Sequence, residues 1–139
     1  MGVVSQVATD SVQRSAPRAL VVENDLASRE LLARVLRLKG LEAYTAIGAA
    51  QAAALLLDAP SAFDLLIVDL NLEPVDGVEL LRHLAALPAS QRPGKIVVIS
   101  DSLTPFYPRL AELRMELEMF QKPVHLPSLM KVVEGLTKG

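Results

Sequence analysis

Charged, amide and hydroxyl side chains directly follow apolar runs at several points of this sequence, and together they could carry out chemistry. They are Glu23-Asn24-Asp25, Asp69, Ser100-Asp101 and Lys122. Polar groups at the ends of buried segments need partners, because burial without hydrogen bonds is costly. Carboxylates held close together repel one another unless a cation intervenes. An acidic cluster beside a lysine and a hydroxyl therefore suits a hard divalent cation and a phosphoryl group, and Mg²⁺ fits such oxygen ligands best.

The elements that must position these residues alternate between apolar strands and amphipathic helices. The predicted strands are 19–22, 41–46, 64–69, 95–99 and 118–121, and the predicted helices are 26–39, 48–58, 78–87 and 126–136, with a fourth helix inside 101–118. Pro105 and Pro108 should make that fourth helix late or distorted. This alternation predicts a doubly wound α/β fold, a five-stranded parallel sheet with helices on both faces. In such a sheet the ligand site lies beyond the carboxyl ends of the strands.

Length and composition indicate one folded domain. The chain has 139 residues, of which 51% are hydrophobic, and this is enough for a sizeable core. Residues 1–18 show no sustained period and are predicted to be a flexible N-terminal extension, which leaves 19–137 for the folded domain.

Charge and cysteine content exclude several classes of function. A formal charge of −2 disfavours direct binding to nucleic acid or to an anionic membrane surface. The absence of cysteine excludes disulfides and thiolate metal sites. No apolar run approaches the ~18–20 residues of a membrane span, and the N-terminus lacks the pattern of a signal peptide. We therefore expect a cytoplasmic protein.

Five separated segments together carry a family resemblance. They are residues 20–25, 64–72, 75–77, 97–100 and 122–123. In their order and spacing the chain resembles the receiver domains of two-component response regulators, from about residue 18 to residue 136. The resemblance implies a flavodoxin-like strand order of 2-1-3-4-5, a receiver domain over 19–137, and phosphorylation by a histidine kinase or a phosphotransfer protein.

The resemblance also implies a role for each site residue. Asp69 would be the nucleophile that accepts the phosphoryl group from a phosphohistidine. Mg²⁺ would be held by Asp69, by the backbone carbonyl of Asn71 and by the acidic turn, that is Glu23, Asn24 and Asp25. Ser100 would donate a hydrogen bond to a phosphoryl oxygen, and Lys122 would place a positive charge beside the same group. A cis peptide bond is implied between Lys122 and Pro123.

The sequence departs from the family pattern at several positions near the site and its output, among them Asp101, where a small residue usually follows Ser100. Receiver domains usually have two adjacent acids after the first strand, and the second of these is Asn24 here, so one negative charge is missing from the metal site. Asp25 could replace it if the strand ended one residue later. Three residues before Lys122, Met119 stands where an aromatic switch residue is usual. The prolines of the fourth helix also indicate a remodelled partner surface.

Several simpler or competing interpretations stay open at this stage. Asp25 should cap the first helix whatever else it does, Asp69 could be a strand-end cap, and Ser100 could make only a local turn hydrogen bond. His83 and His125 are expected to be surface residues. Asn24 and Met119 support an alternative function, a pseudo-receiver that acts as an interaction module with weak or no phosphorylation.

We do not expect an enzyme beyond the self-phosphorylation and dephosphorylation chemistry of a phospho-acceptor. Dehalogenase-like phosphatases need a second acid two residues after the nucleophile, and that position is Asn71. A flavin-binding module would need a glycine- or hydroxyl-rich first turn. We expect signalling through contact with a downstream protein or through a phosphorelay. Homodimerisation is left open.

Overall fold

A computed structural model of the chain describes residues 16–58 and 63–137. Residues 1–15 of the predicted N-terminal extension lie outside the described residues. Arg18, the last residue of the predicted extension, instead begins the first strand. The strands are β1 (Arg18–Val22), β2 (Glu42–Ala46), β3 (Leu65–Asp69), β4 (Lys95–Ser100) and β5 (Glu118–Gln121). The helices are α1 (Leu26–Leu38), α2 (Ala49–Asp58), α3 (Gly77–Ala85), α4 (Tyr107–Leu113) and α5 (Leu126–Thr137).

The five strands form one parallel sheet in the order β2-β1-β3-β4-β5. This confirms the predicted doubly wound α/β fold and the strand order that the family resemblance implied. β1 and β3 lie at the centre, and the strand order reverses between them. The carboxyl ends of β1, β3 and β4 therefore meet beside one crevice, as required for a site at that edge.

Alternation along the strands divides the core into two layers. On one face, Leu20, Leu66 and Val98 pack with apolar residues of α2, α3 and α4. On the other face, Val21 and Ile67 pack with α1 and α5. β1 and β3 are buried on both faces, which explains why their sequences are continuous apolar runs without polar alternation.

The region around α4 confirms the predicted effect of the two prolines. A short 3₁₀ helix, Thr104–Phe106, precedes α4, so the α-helix begins only at Tyr107. α4 is seven residues long and is followed by Arg114, whose φ of 54° lies in the left-handed region. A second 3₁₀ helix, Ala89–Gln91, follows α3 and was not predicted; α3 also ends two residues before the predicted boundary.

Two further features complete the backbone description. The peptide bond between Lys122 and Pro123 is cis, as the family resemblance implied, and the bond between Glu73 and Pro74 is also cis. Within residues 16–58 and 63–137, no helix has the length and apolar character needed to cross a membrane.

Candidate functional site

Asp69 ends the central strand β3 at the crevice and is held by two donors. Its side chain is almost completely buried, with 2% exposed. Oδ1 accepts a hydrogen bond of 2.8 Å from the backbone N–H of Asn71, and Oδ2 accepts one of 2.8 Å from Nζ of Lys122. The backbone hydrogen bond orients the carboxylate of Asp69, and the positive charge of Lys122 offsets the free-energy cost of burying that carboxylate.

Glu23, Asp69 and Lys122, here called the strand-end cluster, come from the ends of β1, β3 and β5. Nζ of Lys122 lies 2.8 Å from Oε1 of Glu23 and 2.8 Å from Oδ2 of Asp69. Oε2 of Glu23 accepts a hydrogen bond from the backbone N–H of Asp25 at 3.2 Å. The expected convergence of these three side chains is therefore present in the fold.

Burial and charge act in opposite directions within this cluster. Burial raises the pKa of the Glu23 carboxyl; Lys122 lowers it and Asp69 raises it, and the net pKa lies above the ordinary value. For Lys122, partial burial works to lower the pKa of the ammonium, but the two carboxylates outweigh it and raise that pKa. Lys122 therefore stays charged, and the Glu23 carboxyl takes up a proton more readily than an exposed glutamate does.

Ser100 ends β4, and its hydroxyl is bonded to the loop residues beside it. Oγ lies 2.8 Å from Oδ1 of Asn71 and 2.8 Å from the backbone carbonyl of Ser102, and it accepts a hydrogen bond from the Ser102 N–H. A hydroxyl has one proton, so it donates to one of these oxygens at a time. The simpler interpretation, a local turn bond, is therefore present, together with a longer-range bond to the loop after Asp69.

The side chain of Asn71 links two loops, a role that the sequence interpretation missed. Its Oδ1 accepts from Oγ of Ser100 and, at 3.1 Å, from the backbone N–H of Asp101. The sequence predicted a site role for Asn71 only through its backbone carbonyl, and its side chain was noted only as not being an acid. Nothing in the spacing indicated the side-chain contact, because the two partners are 29 and 30 residues away along the chain.

Asn24 and Asp25 lie at the rim, exposed to solvent. Oδ2 of Asp25 accepts a hydrogen bond of 2.9 Å from the N–H of Ser28, so Asp25 caps α1 as predicted. Hydrogen bonds from Ser28 lower the pKa of the Asp25 carboxyl. β1 ends at Val22, so the later strand end that would have turned Asp25 into the metal position is not found. Arg29 closes the turn by donating to the carbonyl of Glu23.

The crevice offers oxygen atoms, which are the ligands that a hard cation prefers, but it offers only a small number of them. Glu23 and Asp69 supply two buried carboxylates. Oε1 of Glu23 is buried and, apart from its ion pair with Lys122, receives no hydrogen bond, so it retains the capacity to bind a cation. Among the residues that the structure describes, no three acidic, histidine or cysteine side chains are grouped as a metal site. A cavity of about 490 Å³, lined by Glu23, Lys122, Asp101 and residues of α1, opens beside these atoms.

His83 and His125 lie on the surface, as predicted. His125 precedes α5, and its Nδ1 lies 2.8 Å from Oγ of Ser128 in the first turn of that helix. Neither histidine takes part in the strand-end cluster.

Comparison with known proteins identifies relatives of this chain. The family model of the response regulator receiver domain matches residues 19–134. The chain is similar to a response regulator receiver protein from Pseudomonas putida, with 30% identity, a TM-score of 0.74, and coverage of 87% of this chain and 98% of the other. It is also similar to a CheY-like receiver domain from Methylobacillus flagellatus, with 26% identity, a TM-score of 0.70, and coverage of 88% and 99%.

A third solved structure is the phosphorylated cyanobacterial phytochrome response regulator RcpA, with 26% identity, a TM-score of 0.70, and coverage of 87% of this chain and 91% of that one. A comparison with the curated proteins finds no match. The family match covers most of the chain, and the described fold agrees with it. The chain therefore belongs to the response regulator receiver domain family.

Proposed function

We propose that this chain is a phospho-accepting receiver in which Asp69 takes a phosphoryl group from the phosphohistidine of a kinase or a phosphotransfer protein. The observation that carries the proposal is the strand-end cluster itself. A buried aspartate at the end of the central strand is oriented by a backbone N–H and faces a lysine that also contacts a second carboxylate. A simple strand-end cap would need neither the lysine nor Glu23.

In the proposed reaction, an oxygen of Asp69 attacks the phosphorus atom of the donor. The new P–O bond forms as the P–N bond to the donor imidazole breaks, and the imidazole nitrogen keeps the bonding electrons. Lys122 stays within reach of the new group and compensates its charge. Ser100 has to exchange its hydrogen bond to Asn71 or Ser102 for one to a phosphoryl oxygen.

Mg²⁺ is part of the proposal because two carboxylates and the incoming phosphoryl oxygens would otherwise repel one another. Glu23 and Asp69 are the side chains that would hold it, together with the backbone carbonyl of Asn71, and Asn24 lies at the rim of the same crevice. When bound, a divalent cation compensates this negative charge and aligns the oxygens. The Glu23 carboxyl would have to be ionised to bind it, although its pKa is raised.

The decisive experiment is incubation of the intact protein with acetyl phosphate or phosphoramidate and Mg²⁺, followed by intact-mass measurement. We expect one phosphoryl group per chain in the wild type and none in Asp69→Asn, because an amide keeps the shape of the side chain but is not a nucleophile. Glu134→Gln is the control, since Glu134 is an exposed carboxylate in the second half of α5. Full incorporation into Asp69→Asn would move the acceptor to another residue.

A pseudo-receiver is the second candidate, and a specific observation favours it. Asn24 leaves the crevice with two buried carboxylates, and Asp25 is engaged in capping α1. In this case the fold would serve as an interaction module. No incorporation into the wild type from either donor, at Mg²⁺ concentrations far above physiological, would support the pseudo-receiver against our first proposal.

The output of a phospho-accepting receiver of this kind would be a change in contact with another protein, without an enzymatic product. The kinase or phosphotransfer protein that supplies the phosphoryl group would dock beside the crevice, where the cavity near Lys122 opens. The exposed apolar side chains Leu26 and Leu31 lie on the neighbouring helix α1 and would suit such a contact.

A further inference from the structure

A second charge cluster joins α4 to the beginning of α3. Arg109 in α4 donates from Nη1 to Oδ2 of Asp76 at 2.7 Å and from Nη2 to Oδ1 of Asp76 at 3.1 Å. Nη2 also donates to Oε1 of Glu79 at 3.3 Å. A planar guanidinium that bonds both oxygens of one carboxylate combines charge with fixed geometry. These three residues, Arg109, Asp76 and Glu79, are called the latch cluster below.

α4 is short and packs against the core through few side chains. It contains seven residues, and Leu110 is the one that is buried. No side chain caps its N-terminus, and its backbone must adopt the left-handed conformation at Arg114 to end it. Helices of this length are not stable alone in water. Leu113 is partly buried against the same core as Leu110. The position of α4 therefore depends on the packing of these two leucines and on the latch cluster.

The other end of the latch cluster is rigid. Oδ1 of Asp76 also accepts from the backbone N–H of Glu79, so Asp76 is the N-cap of α3. The next residue, Gly77, rests on the backbone of Asp69: a Cβ at Gly77 would lie 2.6 Å from the carbonyl oxygen of Asp69. Asp76 thus belongs to the loop that leaves Asp69, and it cannot move far without moving that loop.

We propose that the latch cluster is a conformational device that holds α4 against α3, and that α4 opens as a separate unit when the cluster breaks. The latch cluster is the polar connection between α4, which packs through few side chains, and the loop that follows Asp69. This inference goes beyond the proposed function and does not depend on phosphorylation, because it concerns the unmodified chain.

Hydrogen exchange of the full chain, without phosphodonor or metal, tests the proposal. In Arg109→Gln we expect the amides of residues 109–113 to exchange about tenfold faster than in the wild type, because one charge-assisted connection is lost. Arg82→Gln is the matched control. Arg82 contacts the same Glu79 at 3.4 Å but lies within α3 itself, so its removal should leave exchange in α4 unchanged.

A second variant tests whether Asp76 is the partner through which Arg109 acts. Asp76→Asn keeps an oxygen that can cap α3 and removes the charge. We expect faster exchange in α4 here too, and the double variant should be no faster than Arg109→Gln alone, because both changes break the same connection. Multiplicative effects in the double variant would show that Arg109 and Asp76 act independently and would overturn the latch.

Two further outcomes would also overturn the proposal. In the first, the amides of residues 109–113 in Arg109→Gln exchange at rates within about twofold of the wild-type rates. This change is smaller than the effect of a lost charge-assisted bond. The second outcome is an equal acceleration in β3, since this would indicate that the whole domain opens rather than α4 alone.

Discussion

The strand-end cluster and the latch cluster each hold one cation between two carboxylates, and they differ mainly in burial. The carboxylates of the strand-end cluster are 0% and 2% exposed, whereas those of the latch cluster are 28% and 42% exposed. The cation contacts are equally short at their closest, 2.8 Å and 2.7 Å. Similar geometry in different surroundings should therefore have different energetic consequences.

The balance between burial and hydrogen bonding shifts the pKa of one acid in each cluster, and the two shifts have opposite directions. In the strand-end cluster, burial raises the pKa of Glu23 even though Lys122 is close. In the latch cluster, burial also works to raise the pKa of Asp76, but hydrogen bonds from Arg109 and from the Glu79 amide outweigh it and lower that pKa. Ionisation of Glu23 therefore opposes folding, whereas ionisation of Asp76 favours the folded state.

The largest expected effect concerns the two cations. Lys122→Met leaves two buried carboxylates without compensation, and we expect the free energy of unfolding at pH 7 to fall by about 3 kcal/mol. Arg109→Met removes a cation from partly exposed acids, and the expected loss is at most about 1 kcal/mol. Urea denaturation of both variants provides the measurement. Equal losses would contradict the distinction based on burial.

A measurement of Mg²⁺ affinity tests whether residue 24 belongs to the metal site beside the strand-end cluster. Asn24→Asp adds a carboxylate at the rim of the crevice, and we expect Mg²⁺ to bind about tenfold more tightly. Glu134→Gln is the control: Glu134 is an exposed carboxylate in the second half of α5, so Mg²⁺ affinity should not change. Calorimetric titration compares the three proteins. Equal affinity of Asn24→Asp and wild type would remove residue 24 from the metal site.

The two clusters should respond to pH with opposite sign. The folded-state pKa of Glu23 lies above its ordinary value of 4.5, so ionisation of Glu23 opposes folding. This contribution to stability is present at low pH and is lost as the pH rises through the folded-state value. The free energy of unfolding of Glu23→Gln should therefore rise relative to that of the wild type between pH 4.5 and pH 7. A flat difference over this range would show that Lys122 fully compensates Glu23.

For Asp76 the dependence of stability on pH has the opposite sign. Its folded-state pKa lies below the ordinary value of 3.8, so its contribution is present above that value and is lost as the pH falls through the folded-state pKa. Asp76→Asn should be less stable than the wild type at neutral pH by up to about 1 kcal/mol. The free energies of unfolding of the two proteins should become equal in strong acid. Urea denaturation at a series of pH values measures whether they do.

The smallest expected effect concerns output near α4. Met119 on β5 is 42% exposed, and an unbranched thioether can occupy many rotamers instead of two discrete states. With beryllofluoride standing in for the phosphoryl group, we expect new protection from hydrogen exchange in the loops after Asp69 and Ser100 and little in residues 108–122. Strong new protection across 108–122 would show an ordinary switch in spite of Met119.

Much of the fold followed from local sequence patterns. Continuous apolar runs indicated strands buried on both faces, and the predicted bounds of β5 agree with the structure at both ends. Asp25 and Asp76 cap helices by short-range hydrogen bonds that a sequence pattern can reveal. The prolines near Tyr107 predicted the late start of α4 because their effect is confined to the backbone beside them.

Tertiary structure alone decided which side chains share a cation. By itself, the sequence determined that acids, a hydroxyl and a lysine end the strands, but it could not determine that Lys122 contacts both Glu23 and Asp69 or that Ser100 bonds Asn71. It gave no indication of the contact between Arg109 and Asp76, which are 33 residues apart. Such contacts depend on distances between elements and on exclusion of water, and these quantities exist only once the helices have packed on the sheet.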